Sequence, residues 1–326
     1  MNERHLDVLQ QYELEQRQVR RGRGAWICDT DKGLKLLREY KGTVKRLEFE
    51  EEVLSLVRQQ GYGSVDSYVR TKEGQLSSVA GDGTKYVLKD WFADRECDSK
   101  DWAEVIRAVG QIAALHRLLR NIPFREEWTM GSIVGQSPKM EMERHNRELR
   151  RVRNYIREKR KKTDFELCVI GNFQVFYSQA AEALAGMEAV EAGQTVKEQF
   201  LCHGDLDQHH ILMGHYDIAV TEFNKMNFGL QMTDLYHFMR KIMEKHNWNL
   251  TLGTAMVEAY HEILPMGNWE RECLYYLFLY PEKYWKQINF YYNASKAWIP
   301  ARNIEKLQNL EIQQECRNLF LSHLKP

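Results

Sequence analysis

The sequence changes its hydrophobic period once, close to residue 98, and this change limits the architectures open to the chain. Before it, short apolar runs are separated by glycine turns at residues 22–24 and 81–83, which is typical of antiparallel strands. Residues 43–60 interrupt these runs with apolar side chains at helical spacing. From residue 101 onward the apolar spacing is almost entirely helical. Strands first and helices later predict an α+β protein in two lobes.

The length of the chain favours the same division. Its 326 residues exceed the roughly 100–200 of a usual single domain. We expect residues 1–96 to form a small antiparallel β-rich lobe with one helix, and residues 97–326 to form a larger helical lobe. Residues 4–20 are interpreted as a short amphipathic helix that precedes the first strand.

Composition argues against several classes of protein. The 46 Lys and Arg residues balance 46 Asp and Glu residues, so the chain as a whole does not attract nucleic acid or an anionic membrane. No apolar run approaches the roughly 20 residues that span a bilayer, and the polar N-terminus is unlike a secretory signal, so we expect a soluble protein made in the cytoplasm. The six cysteines show no CxxC spacing, which argues against zinc.

Residues 144–162 are rich in Arg and Lys over a thin apolar stripe. The simpler interpretation is a solvated helix face. The alternative is a surface for an anionic partner, and nucleic acid is the less expected form of that partner because the chain is neutral overall.

The strongest chemical signal lies in residues 200–212. An apolar approach leads to His203-Gly204-Asp205, and apolar residues return at Ile211, which predicts a tight loop between ordered elements. This segment resembles the catalytic loop of aminoglycoside and choline kinases, His-Gly-Asp-x-x-x-x-Asn. The resemblance implies two catalytic-site residues, with Asp205 in the position of the base and His203 shaping the loop.

Two positions depart from that family's pattern. His210 stands where the motif has asparagine, and Glu222 stands where the family has its metal-binding aspartate. Imidazole is a poor ligand for Mg²⁺, and glutamate carries its carboxylate on a longer stem. The resemblance therefore implies a weakened Mg²⁺ site with Glu222 and His210 as its candidate ligands.

The resemblance also implies an ATP site in the β-rich lobe. A kinase needs a strand cation near the phosphates and a helix glutamate beside it. Arg38 matches the strand position, although arginine and lysine are not equivalent there. Either Glu50 or Glu51 matches the helix position. Along the chain, the residues assigned to ATP are Gly22, Gly24, Lys35, Arg38 and Glu51.

The likeness extends over nearly the whole chain. The segments YVRTKEG (residues 68–74), YVLKDW (86–91) and YPEKYWK (280–286) resemble the spore coat protein S (CotS) family, with least support in residues 120–195. That family belongs to the kinase-like superfamily and occurs in endospore-forming bacteria. The resemblance implies a two-lobed protein-kinase-like fold and deposition in the spore coat.

Two functions stay open. One is a degenerate kinase, or pseudokinase, that serves as a binding or assembly module in sporulation, which His210 and Glu222 favour. The other is an active ATP-dependent phosphotransferase that acts on a small hydroxylated molecule or a coat protein, with Asp205 as base. The expected partners are accordingly spore coat proteins or a small-molecule substrate, and no membrane.

Overall fold

The computed structural model of the chain describes residues 7–92, 95–193, 199–214, 217–293 and 300–325. The chain separates into two compact units. The first comprises Met1–Val134 and Leu201–Phe228, and the second comprises Gly135–Phe200 and Gly229–Pro326. The lobe boundary expected at residues 96/97 divides the chain differently, and it stays a prediction.

An antiparallel sheet forms the base of the first unit. Its strands are β1 (Gln16–Gly22), β2 (Ala25–Thr30), β3 (Gly33–Glu39), β4 (Tyr68–Val69), β5 (Ser78–Val79) and β6 (Lys85–Asp90). Their order is β1-β2-β3-β6-β4, with β5 pairing with β6. The glycine turn at residues 22–24 joins β1 to β2, and β2 in turn pairs with β3 from Trp26 opposite Leu37 to Thr30 opposite Gly33.

The helix expected over residues 4–20 is wrong for the part that the structure describes. A short 3-10 helix, Asp7–Gln11, is followed by strand β1. Strand β1 has almost no buried side chain, so its sequence shows no strand alternation. Its conformation comes from backbone pairing with β2, which local periodicity does not report.

Helix α1 (Val44–Gln59) follows β3, and helix α2 (Trp102–Leu119) begins twelve residues after the end of β6. Thr43 starts α1 by accepting a hydrogen bond from the Arg46 N–H at 3.2 Å, and Asp101 starts α2 by accepting from Ala103 at 2.9 Å. The apolar stripe of α1 is buried against α2 and against residues 201–228, in one core that includes Leu54, Leu115, Leu201, Val220 and Phe223.

Five short strands lie within the first unit or end at its boundary. They are β7 (Arg95–Glu96), β8 (Phe200–Cys202), β9 (Ile211–Met213), β10 (Ile218–Val220) and β11 (Asn227–Gly229). Strands β10, β9 and β7 form one small sheet in that order, and β11 pairs with β8. The predicted His-Gly-Asp loop therefore joins strands of two different small sheets.

Helices form the second unit. They are α3 (Pro138–Glu158), α4 (Asp164–Ala192), α5 (Met232–Lys245), α6 (Leu250–Ile263), α7 (Asn268–Leu279), α8 (Glu282–Asn293), α9 (Pro300–Ile312) and α10 (Gln314–Leu324). A capping box of Thr163 and Glu166 begins α4 directly after α3. The predicted α+β class is confirmed. Within the described residues, no helix is both long and apolar enough to cross a membrane.

Candidate functional site

The His-Gly-Asp loop, residues 203–210, connects β8 to β9 in the first unit. Gly204 has φ +82°, and a Cβ atom there would lie 2.1 Å from the Lys225 carbonyl oxygen, so the position requires glycine. His203 is buried, and its Nδ1 accepts the Asp205 N–H at 3.3 Å. Its Nε2 therefore carries the proton and donates to the Thr221 carbonyl oxygen at 2.9 Å. This pattern holds the loop in place, and a catalytic role for His203 stays a prediction.

His210 closes the same loop from its other end. Its Nδ1 donates to the Asp205 carbonyl oxygen at 2.6 Å, and its backbone N–H donates to the Asp207 carbonyl oxygen at 3.1 Å. The ring thus stabilises the loop at the position where the kinase motif has asparagine. One of its two nitrogens is consequently engaged with backbone.

The Asp205 carboxylate is partly exposed and forms an ion pair with a lysine side chain. Lys225 Nζ lies 2.8 Å from Asp205 Oδ2, and the two side chains are 60% and 40% exposed. Such an exposed pair contributes little to stability, about 0–1 kcal/mol. The carboxylate is therefore neutralised but can change partners.

Glu222 follows strand β10 in an unusual backbone conformation. Its φ and ψ are 73° and 50°, in the left-handed region that non-glycine residues seldom adopt. Asp66 Oδ2 accepts the N–H groups of Glu222 at 2.8 Å and of Phe223 at 3.4 Å. A left-handed non-glycine residue costs on the order of 1–3 kcal/mol, so these contacts help to hold it.

A buried lysine compensates the charge of Asp66. Lys89, on β6, places Nζ 2.8 Å from Asp66 Oδ2, and both side chains are buried. Burial disfavours the charged lysine, but the carboxylates of Asp66 and Glu222 outweigh it and raise the pKa of Lys89. The positive charge of Lys89 is therefore retained inside the first unit.

Arg38 links Glu222 to the glycine turn. Its Nη1 forms an ion pair with Glu222 Oε2, and its Nη2 donates to the Arg23 carbonyl oxygen at 2.7 Å. Glu222 Oε1 is buried and has no hydrogen-bond partner among the described residues. The structure thus brings together two residues that the sequence assigned separately to ATP and to metal.

The glycine turn contacts the His-Gly-Asp loop directly. Arg23 and Gly24 form a two-residue hairpin with φ values of 55° and 66°, which is typical of a type I′ turn. Arg23 Nη1 donates to the His209 carbonyl oxygen at 2.9 Å, and Nη2 lies 3.2 Å from Glu96. The turn that the resemblance assigns to nucleotide phosphates is therefore tied to the loop by an arginine.

Two of the predicted ATP residues lie elsewhere. Lys35 Nζ contacts Asp90 Oδ1 at 2.7 Å, and Glu51 pairs with Arg58 at 2.8 Å. The buried glutamate of α1 is instead Glu50, which Arg46 and Tyr68 hold at 2.8 and 2.7 Å. In the described contacts, no glutamate of α1 pairs with Arg38.

The donor set at this site fits Mg²⁺ poorly. Mg²⁺ demands oxygen ligands in near-octahedral geometry. Here Asp205 is paired with Lys225, Glu222 is paired with Arg38, and the ring of His210 binds backbone. The described parts of the chain contain no group of three His, Cys, Asp or Glu side chains arranged to hold a metal ion. Two side-chain cations, Lys225 and Arg38, thus contact the carboxylates of Asp205 and Glu222.

Sequence reasoning missed four residues of this site, namely Arg23, Asp66, Lys89 and Lys225. The available signal concerns Lys89, a lysine that directly follows the apolar run of residues 86–88 in strand β6. Asp66 stands in a loop with no pattern around it, and Arg23 was passed over between two glycines.

Comparisons with known proteins agree with this architecture. The model of the family described as "Spore coat putative kinase YutH" matches residues 5–324. Spore coat protein S of Bacillus subtilis (strain 168) is 21% identical over 311 residues, covering 93% of this chain and 87% of that protein.

Solved structures show the same fold. An aminoglycoside phosphotransferase from Alicyclobacillus acidocaldarius superposes with a TM-score of 0.86 at 19% identity, covering 98% of this chain and 94% of that one. Amicoumacin kinase hAmiN, in complex with AMP-PNP, Ca²⁺ and Ami, gives a TM-score of 0.60 at 12% identity, covering 98% and 95%. The predicted two-lobed, kinase-like fold is confirmed.

Proposed function

We propose, from the premise that this chain belongs to the YutH family of spore coat proteins, that it is a kinase-like binding or assembly module of the coat and not a phosphotransferase. The observation that carries the proposal is the ion pair between Arg38 and Glu222. The likeness of the whole chain to spore coat protein S, over most of both chains, supports deposition in the coat.

The ion pair opposes metal binding in a definite way. Before Glu222 could bind Mg²⁺, it would have to release Arg38, whose guanidinium would then lose its carboxylate partner. The two side chains are 8% and 27% exposed, so the cost lies between the 0–1 kcal/mol of an exposed pair and the roughly 3–5 kcal/mol of a buried one. Mg·ATP would have to supply that free energy.

The glycine turn adds a second obstacle. Arg38 holds the Arg23 carbonyl oxygen, and Arg23 holds the His209 carbonyl oxygen. The Arg23 side chain thereby fastens the turn to the His-Gly-Asp loop, while Arg38 holds the turn from strand β3. Phosphates entering between the turn and the loop would have to displace the hydrogen bond from Arg23.

A phosphotransferase remains the second candidate, because one observation favours it. Asp205 is reachable from solvent, and its partner Lys225 is more than half exposed. Since that pair is weak, the carboxylate could exchange Lys225 for a substrate hydroxyl. On this alternative ATP would be the phosphate donor, and the acceptor would be a small hydroxylated molecule or a coat protein.

Thermal unfolding in the presence of Mg·ATP distinguishes the two. A ligand at a hundred times its Kd stabilises by about 2.7 kcal/mol, which corresponds to several degrees in Tm. We expect no such shift for the wild-type protein, and a shift to appear when the motif is restored in the variant His210→Asn/Glu222→Asp. ATP with EDTA is the control for binding without metal.

Two results would overturn the proposal. One is a wild-type shift of several degrees with Mg·ATP that Asp205→Asn abolishes. The other is transfer of radiolabelled phosphate from ATP to an acceptor, lost in Asp205→Ala. Equal incorporation by the wild type and Asp205→Ala would instead remove the phosphotransferase alternative.

A further inference from the structure

A row of exposed basic side chains runs along helix α3 and the turn after it, in the second unit. We call it the α3 basic row, and it consists of Arg144, Arg147, Arg150, Arg151, Arg157, Arg160 and Lys161. Arg144 and Arg147 have carboxylates only at 3.9 Å. The other five have no ion pair within the described part of the chain.

The helix presents this row rigidly. Leu149 and Ile156 are buried in the core of the second unit, and Arg150 and Arg151 between them are exposed. On one flank, His145 stacks on Trp285 with ring centroids 3.4 Å apart, and the Trp285 indole donates to Glu148 at 2.7 Å. A partner would therefore meet side chains on a fixed backbone, which lowers the entropic cost of binding.

The charges within the row repel one another. From Arg144 to Arg157 the helix rises about 20 Å, and Arg147 lies three residues from Arg144 and Arg150 and four residues from Arg151. Like charges at that spacing destabilise a helix by roughly 0.2–0.5 kcal/mol a pair. An anionic partner would remove this repulsion, and its carboxylates could bind each guanidinium with two hydrogen bonds.

The surroundings of the row favour a polypeptide as that partner. Tyr155 lies one helical turn after Arg151 on α3, and it is 54% exposed. Apolar side chains of a polypeptide can cover this ring, whereas a phosphate backbone cannot. The net charge of zero and the pI near 7.2 also differ from nucleic-acid-binding domains, whose pI typically exceeds about 9.

We propose that the α3 basic row is a docking surface for an acidic, partly apolar polypeptide segment of another protein. Glutamate or aspartate side chains would pair with Arg147, Arg150 and Arg151, and apolar side chains would cover Tyr155. This surface lies in the second unit and uses no residue of the candidate site. Its test is therefore independent of the proposed function.

Fluorescence anisotropy with a labelled peptide tests the proposal on the full chain. The peptide has 21 residues, the length of α3, with glutamates along one helical face and leucines beside them. We expect saturable binding that weakens as salt rises, because the contacts are exposed ion pairs. Arg147→Glu/Arg151→Glu should lower the affinity at least tenfold, and Arg147→Lys/Arg151→Lys should lower it less because charge is kept.

The matched control reverses the charge of two exposed arginines of strand β1, in the variant Arg17→Glu/Arg20→Glu, and it should leave the affinity for the peptide unchanged. Urea unfolding midpoints of all variants show whether each has folded. The proposal fails if the wild type does not bind at low salt, if the control pair weakens binding equally, or if a peptide with glutamine in place of glutamate binds as tightly. It also fails if a DNA duplex of about 20 base pairs binds more tightly through the same arginines at physiological salt, since the surface would then serve nucleic acid.

Discussion

Replacing Lys89 by methionine tests how much the buried ion pair of Lys89 and Asp66 contributes to stability; Asp66 in turn accepts the backbone N–H of Glu222. The Lys89 and Asp66 side chains are 3% and 0% exposed, and Nζ lies 2.8 Å from Oδ2. Methionine keeps most of the side-chain length and removes the charge. Asp66 then remains buried with two backbone N–H donors, from Glu222 and Phe223, while its Oδ1 has no partner among the described residues.

The size of the effect follows from what Asp66 keeps. Removing one partner of a buried ion pair costs about 3–5 kcal/mol, because the remaining charge is uncompensated. A hydrogen bond to a charged group contributes about 1.5–3 kcal/mol, and Asp66 retains one at 2.8 Å and a weaker one at 3.4 Å. We therefore expect Lys89→Met to lower the free energy of unfolding of the first unit by about 2–4 kcal/mol.

Urea unfolding at neutral pH, followed by circular dichroism, measures this difference. The matched control is Lys41→Met, which removes a lysine 3.6 Å from Glu39 in a pair whose side chains are 83% and 50% exposed. It should change stability by less than about 1 kcal/mol. Adding Asp66→Asn to Lys89→Met should restore part of the loss, because asparagine can still accept the two N–H groups. The reasoning is refuted if Lys89→Met costs no more than Lys41→Met, or if Asp66→Asn makes the variant still less stable.

Two further predictions concern single positions. Burial, reinforced by Arg144, lowers the pKa of His145 to about 4, so the neutral ring stabilises the fold above pH 6.5 and this contribution is lost as the pH falls through 4. His145→Gln should flatten the dependence of the urea midpoint on pH between 6.5 and 4, and an unchanged slope would contradict this prediction. Gly204→Ala should destabilise the first unit more than Gly33→Ala does, because both glycines have positive φ but only a Cβ at position 204 would meet a carbonyl oxygen. Gly33→Ala should cost about 1–2 kcal/mol of stability, and equal urea midpoints for the two variants would contradict the stated cause.

Local signals predicted most of the fold. Residues 43–60 were expected to be helical, and α1 spans Val44–Gln59, because its apolar spacing and its cap at Thr43 are encoded within the segment itself. Strand β1 was missed for the opposite reason. Its side chains are nearly all exposed, and only the neighbouring strand determines its conformation.

The sequence predicted the candidate site only where its residues are adjacent along the chain. The loop containing His203, Gly204 and Asp205 follows from adjacent residues, and each has a role in shaping or presenting it. Arg38 and Glu222 were each singled out, but their pairing joins positions 184 residues apart. The contact between Asp66 and Lys89 left no trace in periodicity, because a single polar residue in a loop and another in a strand have many alternative explanations.

The discontinuity of the first unit has a consequence for biosynthesis. Leu201–Phe228 leaves the ribosome only after α3 and α4, although it supplies Leu201, Val220 and Phe223 to the core beneath α1. Closing the intervening segment, residues 135–200, costs on the order of 4 kcal/mol in chain entropy, and early formation of the α3–α4 pair shortens the span to be closed. Until residues 201–228 are synthesised, the apolar residues of the N-terminal segment that they cover stay exposed. The need for chaperones should therefore be greatest during that interval of translation.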